Sequence, residues 1–150
     1  MSGLGFRRAR REDVAAIASL LSDDALGAGR EDPADLAPYL EAFGRIDADP
    51  RNLLAVAERD GQVVGCLQLT FVPGLSNRGA EFALLQAVRV AAALRGQGAG
   101  RAFVAWAMDE ARGRGCAAME LLTHNSRTDA QRFYRSLGFA DSHRGMRRAL

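Results

Sequence analysis

Arg95-Gly-Gln-Gly-Ala-Gly-Arg101 sets three glycines between two arginines, after an apolar run (Leu84 to Val90) and ahead of a helix-like run (Ala102 to Arg112). A turn of this kind, between a strand and a helix start, can cradle an anion. The first amides of a helix have no internal carbonyl to donate to, and the helix dipole adds partial positive charge there. Glycines let the backbone close around the anion without Cβ interference, and Arg95 and Arg101 add charge-assisted donors. The chemistry is that of a pyrophosphate seat.

Which pyrophosphate is the next question. A Walker A loop needs a lysine after its last glycine, and this chain contains no lysine. A dinucleotide fingerprint needs a third glycine where Arg101 stands, and its acidic ribose ligand would have to be Glu120, inside a strand-like run rather than at its end. A glycine loop that binds nothing is the bland alternative. The remaining pattern is Arg-x-x-Gly-x-Gly, matched by Arg95, Gly98 and Gly100.

Other blocks decide between these. Val88-Arg89-Val90 precedes the loop, and Asn125, Ala130, Phe133-Tyr134 and Leu137-Gly138-Phe139 follow within Thr123 to Phe139. Together these motifs resemble the GNAT superfamily of N-acetyltransferases. The resemblance covers nearly the whole chain in order and length, while its specific motifs lie in residues 86–139. It implies one domain over residues 1–150, of α/β class, with a mixed, mostly antiparallel sheet splayed at the centre and flanked by about four helices.

The resemblance also implies roles. Arg95, Gly96, Gln97, Gly98, Ala99, Gly100 and Arg101 would hold the pyrophosphate of acetyl-CoA, the acetyl donor. Main-chain groups of Val88 and Val90 would pair with the pantetheine arm like an added strand, one N–H facing the thioester oxygen. Asn125 would bond to the same arm; read alone it is a turn-forming asparagine. Tyr134 would give a proton to the departing sulfur, since a phenol within hydrogen-bond reach of a thiolate can do so. Helical spacing alone makes it a core tyrosine with a satisfied hydroxyl. Many relatives carry a glutamate base where this chain has Gln86, which cannot take up a proton usefully and is expected to orient substrate or water. Glu81, His124 and His143 are the alternative bases.

The implied activity is direct transfer of acetyl from acetyl-CoA to a primary amine of a small molecule or peptide. The competing reading is a non-catalytic acyl-CoA-binding or regulatory module, which Gln86 keeps alive. The acidic stretch Asp23, Asp24, Glu31, Asp32 suits a cationic acceptor, although solvated surface carboxylates are commoner. The superfamily also allows a homodimer.

Composition narrows the field further. With 48% apolar residues and a formal charge of +2, the chain is neither disordered nor strongly basic. Basic residues cluster only at Arg7 to Arg11 and Arg144 to Arg148, so no nucleic-acid partner is expected. The paired N-terminal arginines are followed by Glu12-Asp13 rather than an apolar stretch, which argues against export. Nothing approaches the roughly 20 apolar residues that span a bilayer, so a cytoplasmic protein without membrane contact is expected. Cys66 and Cys116 sit in apolar runs, as small buried hydrophobes rather than a disulfide or metal site, and no metal is expected.

The elements that must position these residues alternate. Gly5 to Ala9 reads as a strand, and Asp13 opens a helix with Val14, Ile17, Ala18 and Leu21 at helical spacing. Asp23 to Asp32 reads as a polar loop, and Pro33 to Ile46 as a second helix. Leu53 to Arg59 and Val63 to Val72 flank a tight Asp60-Gly61 turn. Phe82 to Val90 leads into the cradle. After the cradle helix, Ala117 to Thr123 reads as a strand buried on both faces. Thr128 to Gln131 reads as a capping box opening a last helix closed by Gly138, and the remainder to Leu150 could supply one or two closing strands.

Overall fold

The computed structural model describes residues 3–150. They fall into two compact units, the first ending at Glu120 and the second running Leu121–Leu150. The element order is β1 (Leu4–Arg8), α1 (Val14–Ser22), α2 (Ala25–Ala28), α3 (Ala37–Ala48), β2 (Asn52–Arg59), β3 (Gln62–Val72), α4 (Ser76–Gly79), β4 (Phe82–Val90), α5 (Ala99–Arg114), β5 (Ala118–Leu121) and α6 (Thr128–Ser136). The class is α/β. Four of the six helices have nine residues or more; α2 is a single turn, and α4 is a turn containing left-handed Asn77 and Arg78.

The sheet runs β1-β2-β3-β4-β5 and is mixed. Its first three pairings are antiparallel. Asp60 (φ 52°) and Gly61 (φ 77°) both take positive φ, the type I′ geometry whose twist suits a two-residue hairpin between Arg59 and Gln62. β5 starts beside β4 where the Ala117 amide donates to the Glu81 carbonyl (2.8 Å).

The register of β4 breaks once. Cys66 pairs with Arg89 and Gln68 with Gln86, so Leu67 alone faces Ala87 and Val88. Ala87 is the bulged residue, held at φ 56°, a left-handed conformation that costs a non-glycine residue about 1–3 kcal/mol. Gly65 makes room nearby: a Cβ there would meet the Arg89 carbonyl at 2.9 Å. The extra residue puts Gln86 and Arg89 on the same face although they are three apart.

Strand alternation assigns the faces of the sheet. Leu53, Ala55, Leu67, Leu69, Phe71, Ala83 and Leu85 point toward α5 and are buried. There Phe103 stacks on Phe6 at 5.0 Å and 7°. The opposite face carries Val56 and Cys66, which join Val14, Ile17, Leu20 and Phe43 of α1 and α3 in a second cluster. The start of α1 is tied to this face by Asp13, 5% exposed, which accepts two hydrogen bonds from Arg7 (2.7 and 3.1 Å) and one from the Arg10 amide (2.7 Å). Arg7 also grips Glu58 (2.9 and 2.7 Å).

Several expectations need correction. The second helix begins at Ala37, not Pro33, because Asp32 and Asp35 accept the amides of Ala34 and Ala37 (3.1 and 3.2 Å) in local turns that compete with helix. Within the expected loop, Asp24 caps the α2 turn by accepting the Gly27 amide at 2.6 Å. β5 alternates exposed and half-buried positions rather than being buried on both faces, since it ends the strand order.

The second unit, described by itself, holds α6. Its capping box does not form: the N-cap Arg127 makes no side-chain capping bond, and the Gln131 side-chain Nε2 reaches back to the carbonyls of His124 (3.4 Å) and Asn125 (3.1 Å) instead. The C-terminal stop does form, with Gly138 at φ 92° and the Phe139 amide returning to the Tyr134 carbonyl (3.1 Å). No strand occurs among residues 140–150. Met146 is 88% exposed and gives that segment no apolar face to bury.

Candidate active site

The end of β4 and the start of α5 form one continuous feature. The Ala91 amide donates to the Val64 carbonyl (2.8 Å), and the Arg89 amide is turned toward the Cys66 sulfur. Amides alternate direction along a strand, so those of Val88 and Val90 point away from β3. Both residues thus offer main-chain donors on the side where β4 is not committed to β3.

Beyond Val90, Gly96 (φ 74°) and Gly98 (φ 87°) turn the chain into α5. Gly98 is its N-cap. The first helical bond runs from the Ala102 amide to the Gly98 carbonyl (3.0 Å), so the amides of Ala99 and Gly100 have no helical carbonyl to donate to. A Cβ at Gly96 or Gly98 would meet nothing within 4 Å. Donors converge on open space, and both left-handed positions are glycine; this fits a pyrophosphate. Ala99 is buried, Gly100 half-buried, and Gln97 and Arg101 are exposed. Gln97 folds back on the Ala93 carbonyl (2.7 Å).

Arg95 and Arg89 sit differently from a simple phosphate clamp. The Arg95 guanidinium donates to the Val90 carbonyl (3.0 Å) and to the Asp23 carboxylate (2.9 Å). Arg89, largely buried, lies 3.2 Å from Asp24 and donates to the Val88 carbonyl (2.9 Å). Both aspartates after α1 are therefore clamped to the β4–α5 junction. Glu31 accepts the Tyr39 hydroxyl (2.7 Å) and pairs with Arg30; burial, then Glu31, raises the Tyr39 pKa. The acidic stretch expected to greet a cation already has cationic or hydroxyl partners at Asp23, Asp24 and Glu31.

Gln86 is exposed on β4, opposite Gln68. Glu81, at the far end of β4, is paired with Arg114 at 2.7 Å. Burial pushes the Cys66 thiol up to about 12, so it remains a neutral packing group; its sulfur lies 3.5 Å from the Ala87 carbonyl at the bulge. Cys116 is half-buried, and both cysteines are free. In the second unit, Tyr134 is half-buried between Phe133 (5.1 Å) and Phe139 (5.6 Å), edge-on to both. Asn125 is exposed. His124 Nδ1 lies 2.7 Å from Ser126 Oγ, and His143 Nδ1 2.8 Å from Ser142 Oγ.

Sequence reasoning missed the bulge at Ala87, the Arg89–Asp24 clamp, and a polar chain in which Thr70 Oγ1 (2.8 Å) and Gln68 Nε2 (3.4 Å) both donate to Asn52 Oδ1. The available signal was Gln68 and Thr70 alternating with apolar residues in β3. Among the described residues no cluster of three potential metal ligands occurs, and no helix is long and apolar enough to cross a membrane.

A bulged strand thus delivers two outward amides to a glycine-capped helix. The chain belongs to the acetyltransferase (GNAT) family, which it matches over residues 14–139. It is similar to the aminoalkylphosphonate N-acetyltransferase of Salmonella typhimurium, with 31% identity over 144 residues covering 96% of this chain and 90% of that one. Among solved structures it resembles a transcriptional regulator from Bacillus halodurans (39% identity, TM-score 0.93, covering 98% of this chain and 99% of that one). It also resembles an acetyltransferase from Trypanosoma brucei (25% identity, TM-score 0.75, covering 98% and 99%).

Proposed function

We propose that this protein is an N-acetyltransferase, one domain over residues 1–150, moving acetyl from acetyl-CoA to the primary amine of a small molecule or peptide in a ternary complex. The observation that carries the reading is the junction of β4 with α5, where outward amides of Val88 and Val90 lead into the open glycine cradle. Acetyl-CoA supplies the activated acyl group as a thioester. The cradle amides, with Arg101, hold its diphosphate, and the Val88 and Val90 main chain aligns its arm, aided by Asn125. One of those amides faces the carbonyl oxygen, worth a few kcal/mol as negative charge develops there.

The amine nitrogen bonds to the carbonyl carbon, the carbon–sulfur bond breaks, and the sulfur takes the Tyr134 hydroxyl proton. The proton lost by the amine leaves through water, which also reprotonates Tyr134. Gln86 does not accept it. The kinship to an N-acetyltransferase of small amines supports the acceptor class. The description of another relative as a transcriptional regulator favours the second reading, a non-catalytic acyl-CoA-binding or regulatory module.

Thiol release from acetyl-CoA across an amine panel, with CoA affinity measured by calorimetry, separates the two. Tyr134→Phe is expected to lower kcat by about a hundredfold or more, the low end of what a positioned acid contributes, with CoA affinity nearly intact. Gly98→Asp, which places a carboxylate in the cradle and a side chain at φ 87°, should abolish CoA binding. CoA bound normally with no thiol released from any amine would establish the second reading.

A further inference from the structure

The covering of the α1/α3 face of the sheet stops halfway along the strands. Val56 and Cys66 lie in the buried cluster, but Asn52, Gln68 and Thr70 on the same face are only half-buried, and Gln86 is exposed. Register sets Asn52 opposite Thr70 and Gln68 opposite Gln86. Asn52 Oδ1 takes two donors, from Thr70 and Gln68, so the Asn52 amide group presents its NH2. Gln68, having given its NH2 to Asn52, presents its carbonyl oxygen; this network is what assigns both amide orientations. Asn52 and Gln68 sit diagonally across β2 and β3, and the bond between them sets that donor and that acceptor side by side.

This row carries no charge. The cation nearest to it along β4 is Arg89, which is matched by Asp24. A row without a carboxylate gives an ammonium ion no counter-charge to offset its desolvation, which favours the neutral, nucleophilic amine. Gln86 places the row two residues before Val88.

We propose that Gln86, Gln68 and Asn52 form the acceptor subsite, and that it selects a small monoamine with an uncharged oxygen close to its nitrogen, such as an amino alcohol or amino amide. The amine donates to Gln68 Oε1 and Gln86, and the oxygen accepts from Asn52 Nδ2. This rests on the acetyl-transfer reading above.

The test compares ethanolamine and glycinamide with propylamine, which lacks the oxygen, and putrescine, which adds a second cation. The wild-type enzyme should favour the oxygen-bearing amines over propylamine by roughly tenfold in kcat/KM, one neutral hydrogen bond's worth. Asn52→Leu, which removes the amide that donates to the oxygen, should erase that preference through KM while leaving CoA affinity unchanged. Gln68→Glu should shift selectivity toward putrescine, a change that lost packing cannot produce. An active enzyme whose selectivity ignores both substitutions overturns the proposal alone. An enzyme inert toward every amine overturns the acetyl-transfer reading and takes the proposal with it.

Discussion

The face of the sheet under α5 and the face under α1 and α3 are built from the same strands, often from adjacent residues. Leu85 is 1% exposed and Gln86 is exposed; Leu67 and Leu69 are fully buried while Gln68 between them is not. Under α5 the packing is apolar along the whole strand length, closed at its edge by Arg114 lying 4.3 Å over the Phe71 ring. On the other face apolar packing covers half, an ion network holds one end, and the rest mixes the polar Asn52, Gln68, Thr70 and Gln86 with half-buried Leu84. The difference separates two tasks. The α5 face fixes the helix whose N-terminus is the cradle, so it must be rigid. The opposite face has to leave space beside β4, so it cannot be filled.

The comparison breaks most visibly if the α5 face tolerates a cavity. Phe103 has no exposed surface, stacks on Phe6 and lies 6.0 Å from Trp106. Phe103→Ala should cost about 3–5 kcal/mol, read from denaturant unfolding, and should loosen CoA binding because α5 carries the cradle. A loss below about 1 kcal/mol would mean this face is not the rigid one.

The ion network on the other face offers a sharper test. The Arg7 guanidinium, ahead of desolvation, holds the Asp13 carboxyl below its usual value. Because the folded pKa is depressed, the stabilisation is fully present above the ordinary value of 3.8 and is lost as pH falls through the lower folded value. Asp13→Asn, leaving Arg7 with only Glu58, should cost about 3 kcal/mol at pH 7. The gap from wild type should narrow below pH 4. A gap that stays constant to pH 2 would assign the loss to packing instead.

The same division explains what could be read in the sequence. The Asp60-Gly61 turn, the glycine cradle and the Gly138 stop were legible because each needs positive φ, and glycine, with aspartate at the hairpin, marks it. The fully apolar positions of β3 and β4 announced the α5 face. The bulge was not legible: Ala87 takes φ 56° with no local signature, forced by the register of β3 and by the space left at Gly65. Nor was the failed capping box, since Gln131 had two carbonyls within reach as alternatives. For the site, residue types were visible, whereas the partners were not. Arg95 reads as a phosphate ligand in isolation, and only the fold brings Asp23 to it.

The smallest expected effect on stability separates the faces at single-residue resolution. Leu85→Ala and Gln86→Ala alter neighbours on β4 that point in opposite directions. The first removes buried methyl groups from a filled face and should cost about 2–5 kcal/mol. The second trims an exposed side chain and should fall within about 0.5 kcal/mol of wild type. If Gln86 faces the acceptor, its removal must still register in the acceptor KM while CoA affinity stays fixed, because the cradle lies beyond Val90. Near-silence in unfolding combined with a change in acceptor KM is what an open half-face predicts. A substantial loss of stability would mean that something covers Gln86, and the polar row would then be structural.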